Sequence, residues 1–210
     1  MRVPGFLLSS PRGRSGLPRF LALTDPKRAA DPYLLLANLP KNAGLVWRAY
    51  DEEISRSQLR NFSRAAQGVR APIFLAWSNR HRTTPLTVHR HLPEHYLNKP
   101  YTDGMFRIGR RIPPQTFITA AAHSERAVVA AAHAGVDAVL ISPVFPTRSH
   151  PGNRSLGIIR FAALARLARS LGLAVYALGG INDVAKIHRL ASTGATGVAG
   201  IDIFLANDQA

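Results

Sequence analysis

Hydroxyl and cationic side chains cluster in one loop that follows a pattern typical of a buried strand. The apolar run at residues 138–141 is short and branched enough for such a strand. The loop after it contains Thr147, Ser149 and His150, and an amphipathic helix pattern follows directly. Hydroxyls and a cationic imidazole are groups that bind the oxygens of a polyanion. A hydroxyl-stabilised turn in a proline-rich loop would use the same residues, so both interpretations stay open.

Glycine-containing segments farther along the chain suit anion binding by the main chain. Gly180 follows a strand pattern, and Gly200 and Ile201 lie at the end of the last one. Because glycine has no side chain, backbone N–H groups there can approach an anion closely. In an eight-stranded α/β barrel, the loops after strands seven and eight commonly bind phosphate. A plain turn uses the same residues, so the glycines alone do not decide the matter.

Two more polar side chains stand where predicted strands end. Arg48 lies near the end of the second strand pattern, and a guanidinium is costly to bury there unless it binds an anion. His123 follows the fifth strand pattern, where an imidazole suits acid–base chemistry. A histidine beside a helix start is also common as a purely structural residue, so its role is left open.

The elements that must position these residues alternate along the chain. Strand patterns occur at residues 19–24, 45–50, 71–77, 88–92, 117–122, 138–141, 174–178 and 197–201. Helix patterns occur at residues 33–39, 53–67, 124–135, 161–171 and 184–191. This alternation predicts an α/β protein with a single (β/α)8 TIM-barrel domain over residues 19–210, after a loose basic leader at 1–18. An open doubly wound sheet is the alternative, because periodicity cannot show closure.

Composition narrows the class of protein. The 210 residues suit one domain with a sizeable core, and there are no cysteines for disulfides or thiolate metal sites. No apolar run is long enough to cross a membrane, so a cytoplasmic protein is the expectation. The net charge of +15 indicates anionic partners, either phosphorylated small molecules or nucleic acid. The arginines are dispersed and no nucleic-acid-binding motif is present, which disfavours nucleic acid.

Two motifs resemble those of a known family. The segment at 142–150, SPVFPTRSH, resembles the P-V-F-P-T-x-T-K loop of thiamine phosphate synthases and their TenI-like thiazole-tautomerase relatives. The segment at 177–181, ALGGI, is similar to the family's A-I-G-G-I, and the spacing between the two motifs agrees. The resemblance extends over about residues 123–204. It implies a transferase of thiamine biosynthesis that condenses hydroxymethylpyrimidine pyrophosphate with thiazole phosphate.

The resemblance also implies roles for particular residues. The expected pyrophosphate ligands are Arg48, Arg80, Thr147, Ser149 and His150, with Asn79 beside them. Gly180, Gly200 and Ile201 would bind the thiazole phosphate, His123 stands where the tautomerases carry a proton, and Glu94 would be a ligand of Mg²⁺. Departures from the family pattern are Val46, Tyr50, Asn79, Ala121 and His150, of which Asn79 replaces a metal-binding aspartate.

Three alternatives to the synthase remain at this point. A TenI-like tautomerase would depend on His123 and would need no magnesium. A degenerate family member would bind a phosphorylated ligand without turnover. A basic nucleic-acid-binding protein would lose affinity steeply as salt rises. Homo-oligomerisation is left open.

Overall fold

Eight parallel strands close into a barrel. The computed structural model describes residues 16–49, 53–77, 88–97, 116–147 and 154–204. Within these ranges the strands are β1 (Phe20–Leu23), β2 (Ala43–Trp47), β3 (Ile73–Ala76), β4 (His89–Leu92), β5 (Ile118–Ala122), β6 (Ala138–Ile141), β7 (Ala174–Leu178) and β8 (Gly197–Gly200). Each strand pairs in parallel with the next and β8 pairs with β1, so the predicted TIM barrel is confirmed and the open sheet was wrong.

Helices lie between most of the strands and pack around the barrel. They are α1 (Pro32–Ala37), α2 (Arg56–Gly68), α3 (Glu94–Leu97), α4 (Glu125–His133), α5 (Gly157–Ser170) and α6 (Val184–His188), followed by a 3-10 helix at Asp202–Phe204. Asp31 and Ser124 accept hydrogen bonds from the first turns of α1 and α4, as their sequence positions predict. The short helix α3 had no counterpart in the sequence patterns. Among the described residues, no helix has the length and apolarity that a membrane crossing requires.

Strand register defines which side chains face the barrel interior. Trp47 packs edge-to-face on Phe62 of α2, with ring centroids 4.9 Å apart, so Trp47 points outward and its neighbour Arg48 points inward. Partners in parallel strands face the same side of the sheet. The register around the barrel therefore places His91 and Tyr176 inside.

Tyr176 fills the amino end of the barrel. Its hydroxyl donates a hydrogen bond to the Pro18 carbonyl oxygen at 2.5 Å, and its side chain is almost fully buried. Burial raises the pKa of the Tyr176 hydroxyl well above its ordinary value, so the hydroxyl stays a donor. Gly197 provides the room for this ring, because a Cβ there would lie 2.5 Å from the Tyr176 ring and 2.6 Å from the Arg19 carbonyl oxygen.

Replacing Gly197 with alanine is expected to lower the free energy of unfolding by about 2 kcal/mol, because the added methyl overpacks a rigid interior. Urea unfolding of the two proteins measures the difference. Gly68→Ala is the matched control, since a Cβ at Gly68 meets nothing within 4 Å. An equal loss of stability in both variants would contradict this account of Gly197.

Candidate active site

Arg48 lies just after β2, at the carboxyl face of the barrel. Its Nε donates to the Thr24 carbonyl oxygen at 2.6 Å, and its Nη2 donates to Asp25 Oδ2 at 3.2 Å. Its backbone N–H donates to Thr24 Oγ1 at 2.7 Å. The guanidinium is thus at the barrel mouth, where the sequence predicts it, and it already contacts one anion of the protein itself.

Arg48 is one of four charged residues that connect three loops. Arg28 Nη2 lies 3.5 Å from Asp25 Oδ2, and Arg28 Nη1 lies 2.7 Å from Asp202 Oδ1, in the segment after β8. We call Asp25, Arg28, Arg48 and Asp202 the charge network. Its two carboxylates and two guanidinium groups balance in formal charge. The sequence did not reveal it, because Arg28 and Asp202 are 174 positions apart.

Asp25 is the carboxylate that both arginines share. Burial by itself would raise the pKa of the Asp25 carboxyl. A hydrogen bond from the Lys27 backbone and the charges of Arg28 and Arg48 lower this pKa by more than burial raises it, so the net pKa lies below its ordinary value. Asp25 is therefore ionised at neutral pH and is a fixed anion at the mouth.

His123 lies after β5 with one ring nitrogen anchored and the other facing an acid. Its Nδ1 is 2.7 Å from the Ser142 carbonyl oxygen; a carbonyl only accepts, so Nδ1 carries the hydrogen. Its Nε2 lies 3.8 Å from Glu94 Oε2, and its backbone N–H donates to that same oxygen at 2.7 Å. The side chain is 52% exposed. In the neutral ring Nε2 holds the lone pair, so Nε2 is the nitrogen of His123 that can accept a proton from a ligand.

Glu94, the predicted metal ligand, contacts His123. In the part of the chain that the structure describes, no three acidic, histidine or cysteine side chains are grouped to hold a metal ion. Mg²⁺ prefers several oxygen ligands, and the carboxylates Asp25 and Asp202 each contact arginine instead. The described residues therefore do not by themselves fit a magnesium site, and Glu94 as its ligand stays a prediction.

The loops after β6 and β7 are joined by backbone hydrogen bonds. The Val144 N–H donates to the Leu178 carbonyl at 2.9 Å, and the Phe145 N–H donates to the Gly179 carbonyl at 3.1 Å. Gly180 has a φ of 71°, and a Cβ there would lie 2.7 Å from the Phe145 carbonyl oxygen. Loop packing thus requires glycine at this position, whether or not an anion binds there.

The predicted site residues that the structure describes all lie at the carboxyl face. They follow strands β2, β4, β5, β6, β7 and β8 or end them, and they are Arg48, Glu94, His123, Thr147, Gly180, Gly200 and Ile201. The predicted residues Asn79, Arg80, Ser149 and His150, and the substituted position Tyr50, lie outside the described residues. Their roles stay predictions, as do the phosphate contacts of Gly180, Gly200 and Ile201.

A buried histidine lies inside the barrel, on β4. His91 Nδ1 is 2.9 Å from Thr119 Oγ1, and the side chain is almost fully buried. Burial, with a smaller contribution from the Arg48 charge, lowers the pKa of His91 to about 3. His91 is therefore neutral in the fold and forms an uncharged polar pair with Thr119. This hydrogen bond to Thr119 on the next strand satisfies the imidazole, which explains why a histidine occurs in a buried strand.

His91 is expected to make the fold acid-sensitive. Its folded pKa lies below the unfolded value, so unfolding takes up a proton, and stability falls as pH drops below about 6.5. The expected loss from this residue is about 2 kcal/mol between pH 7 and pH 5. Burial also lowers the pKa of His89, which adds in the same direction. Urea unfolding at both pH values measures the loss.

His91→Asn is the variant that isolates this effect, because the amide keeps a polar atom near Thr119 and does not titrate. Its stability is expected to depend less on pH than that of the parent protein. A variant with the full pH dependence would show that other groups cause the acid sensitivity.

The fold is that of a TIM-barrel protein. Its candidate site lies at the carboxyl ends of the strands, the usual place for an active site in this fold. Residues 102–204 match the family model for thiamine monophosphate synthase, TMP-TENI. The chain is 27% identical over 194 residues to a putative thiamine-phosphate synthase 2 of Aquifex aeolicus, covering 90% of this chain and 98% of that one. These matches support the resemblance to the thiamine phosphate synthase and TenI-like family that its motifs show.

One further sequence relative agrees with this resemblance, and two solved structures share the fold. The thiamine-phosphate synthase of Pyrococcus abyssi is 30% identical over 97 residues, which cover 46% of this chain and 45% of that protein. A thiamine phosphate pyrophosphorylase from Pyrococcus furiosus superposes with a TM-score of 0.64 at 18% identity, covering 90% of this chain and 92% of that one. FabK from Thermotoga maritima reaches the same TM-score at 17% identity, with 90% of this chain and 60% of that one covered. At such identities the structural matches show the barrel fold alone.

Proposed function

We propose that the protein is a thiamine phosphate synthase that joins hydroxymethylpyrimidine pyrophosphate to thiazole phosphate and releases pyrophosphate. The observation that carries the proposal is the match, at 27% identity, to 98% of the length of the Aquifex aeolicus relative, which is named a putative thiamine-phosphate synthase 2. The position of Arg48 and Thr147 at one face of the barrel supports it. The partners are then phosphorylated small molecules, consistent with the net charge of +15.

The proposed reaction needs a stabilised leaving group and two aligned substrates. The carbon–oxygen bond to pyrophosphate breaks and its electron pair leaves with the pyrophosphate. The lone pair of the thiazole nitrogen then forms the new carbon–nitrogen bond. Arg48 would stabilise the departing anion; no described residue accepts a hydrogen bond from its Nη1, which leaves that group for a ligand. The backbone at Gly180 and Gly200 would hold the thiazole phosphate and so fix the direction of attack.

A second candidate function is a TenI-like isomerase that moves a proton on a thiazole ligand. The geometry of His123 favours it, because Nδ1 is anchored on Ser142 and Nε2 faces Glu94 and solvent. This reaction would need neither a leaving-group ligand nor a metal ion, and Arg48 would then serve mainly to hold Asp25. A family member that only binds a phosphorylated ligand is the remaining possibility.

One pair of assays separates these functions. Purified protein is incubated with both synthase substrates, in magnesium and in EDTA, and thiamine phosphate is measured. Thiazole phosphate is incubated separately in heavy water, and deuterium uptake is followed by NMR. Thiamine phosphate is expected, with weak magnesium dependence because Asn79 stands at the family's aspartate position. Deuterium uptake without condensation would favour the isomerase. If neither reaction is observed, a protein that only binds a phosphorylated ligand is the remaining function.

A further inference from the structure

The charge network holds a carboxylate next in sequence to the residues that the proposed function expects to bind a phosphate. Asp202 directly follows Gly200 and Ile201, the predicted main-chain ligands of the thiazole phosphate. Its Oδ1 accepts a hydrogen bond from Arg28 Nη1 at 2.7 Å, and its side chain is 32% exposed. An anion binding beside Ile201 therefore meets a negative side chain already paired with the nearby cation.

We propose that Asp202 is an internal competitor for the ligand's phosphate: a phosphorylated ligand binds by displacing the Asp202 carboxylate from the Arg28 guanidinium. The proposal rests on the proposed function for the place of the phosphate. Guanidinium groups bind carboxylate and phosphate through the same planar set of donors, so the two anions are direct rivals for Arg28. A dianionic phosphate has the greater charge and displaces the single carboxylate. A monoanionic carboxylate ligand gains nothing by the exchange.

The rest of the network keeps Arg28 in place during the exchange. Arg28 Nη2 lies 3.5 Å from Asp25 Oδ2, and Asp25 is also held by Arg48 at 3.2 Å. The Asp25 side chain is 14% exposed and the lowered pKa of its carboxyl keeps it ionised. Arg28 thus retains its contact with Asp25 when Asp202 leaves. Asp202 consequently determines selectivity, favouring phosphate esters over carboxylates.

Asp202→Asn tests the proposal, because asparagine has the same shape without the competing charge. Binding of inorganic phosphate and of acetate is measured by calorimetry at low and high salt. The variant is expected to bind phosphate roughly fivefold more tightly at low salt, with a smaller gain at high salt. Acetate binding is expected to rise as well, which narrows the preference for phosphate. In the double variant Arg28→Gln/Asp202→Asn, the gain in phosphate affinity is expected to disappear.

Asp183→Asn is the matched control for charge alone. Asp183 caps α6 in the neighbouring loop, where asparagine also caps well, and it contacts Lys186 and not Arg28. Unchanged phosphate affinity in Asp202→Asn would overturn the proposal, as would an equal gain in Asp183→Asn or a gain that persists without Arg28. Thermal unfolding verifies that each variant is folded.

The binding experiment also distinguishes this proposal from the proposed function. A protein that makes thiamine phosphate, but whose Asp202→Asn variant binds phosphate no more tightly, refutes the role of Asp202 and leaves the synthase standing. A protein without synthase activity that shows the expected gain keeps the role of Asp202 and loses the synthase.

Discussion

If the protein is the isomerase, deuterium uptake by thiazole phosphate is expected to fall by about 10²- to 10⁴-fold when His123 is replaced by alanine, the usual size of a general acid–base contribution. The reason is the anchoring of the ring: Nδ1 donates to the Ser142 carbonyl at 2.7 Å, so Nε2 is the nitrogen that exchanges a proton with a ligand. Kinetics by NMR in heavy water measure the effect on the turnover number separately from ligand affinity, which is expected to change little.

Two further variants decide how His123 acts. Glu94→Gln keeps an oxygen to accept the His123 backbone N–H but removes the negative charge 3.8 Å from Nε2, so a loss of about tenfold is expected. His133→Ala removes an exposed histidine from the last turn of α4 and is expected to leave uptake unchanged. Uptake that survives in His123→Ala would show that His123 is structural and would remove the main support for the isomerase.

Condensation is expected to lose about 10²-fold in kcat/KM when Arg48 is replaced by alanine, because a charged ligand of the leaving group would be absent. Arg48→Lys is expected to recover only part of this loss, since an ammonium group cannot contact Thr24, Asp25 and a ligand in the same planar arrangement. Steady-state assays of thiamine phosphate formation measure both variants, and Arg60→Ala on α2 is the exposed control.

The contact with Asp25 provides a sharper test of Arg48. In Arg48→Ala, Asp25 loses one of its two arginine partners, which by itself could disturb the mouth. Asp25→Asn/Arg48→Ala removes that uncompensated charge, so the double-mutant cycle separates the two effects. A double variant that remains as impaired as Arg48→Ala agrees with a direct ligand contact. A double variant with restored activity would show that Arg48 acts only by holding Asp25.

Much of the fold could be predicted from the sequence because most strands are buried on both faces and appear as short apolar runs. The strand β6, Ala138–Ile141, is the clearest case, and its predicted limits are confirmed. The strand β4 was harder because it reads His89-Arg90-His91-Leu92. The His89 ring lies between those of Phe74 and Phe117, with centroids 4.9 Å and 5.2 Å away. Those partners come from distant segments, so the sequence does not reveal that His89 is partly buried or that His91 is buried.

The site was predictable as a set of loops but less so as a set of contacts. The carboxyl end of each strand could be read from the sequence, which placed Arg48, His123 and Thr147 on one face. The contacts of Asp202 with Arg28 and of Glu94 with His123 bring together loops far apart in the chain. No local pattern indicates such pairs. Glu94 was assigned to a metal by the family resemblance; that role stays a prediction, and the contact that the structure describes is with His123.

The backbone hydrogen bonds between the loops after β6 and β7 have a thermodynamic consequence. Since Val144 and Phe145 donate to Leu178 and Gly179, Thr147 and Gly180 belong to one connected stretch of main chain. We expect a ligand that orders one loop to order the other as well, and such linkage is reciprocal. A ligand that orders the Gly180 loop raises affinity at Thr147, and by the same factor a ligand at Thr147 raises affinity at Gly180. Two substrates that occupy these loops would bind with positive cooperativity, although they share no side chain.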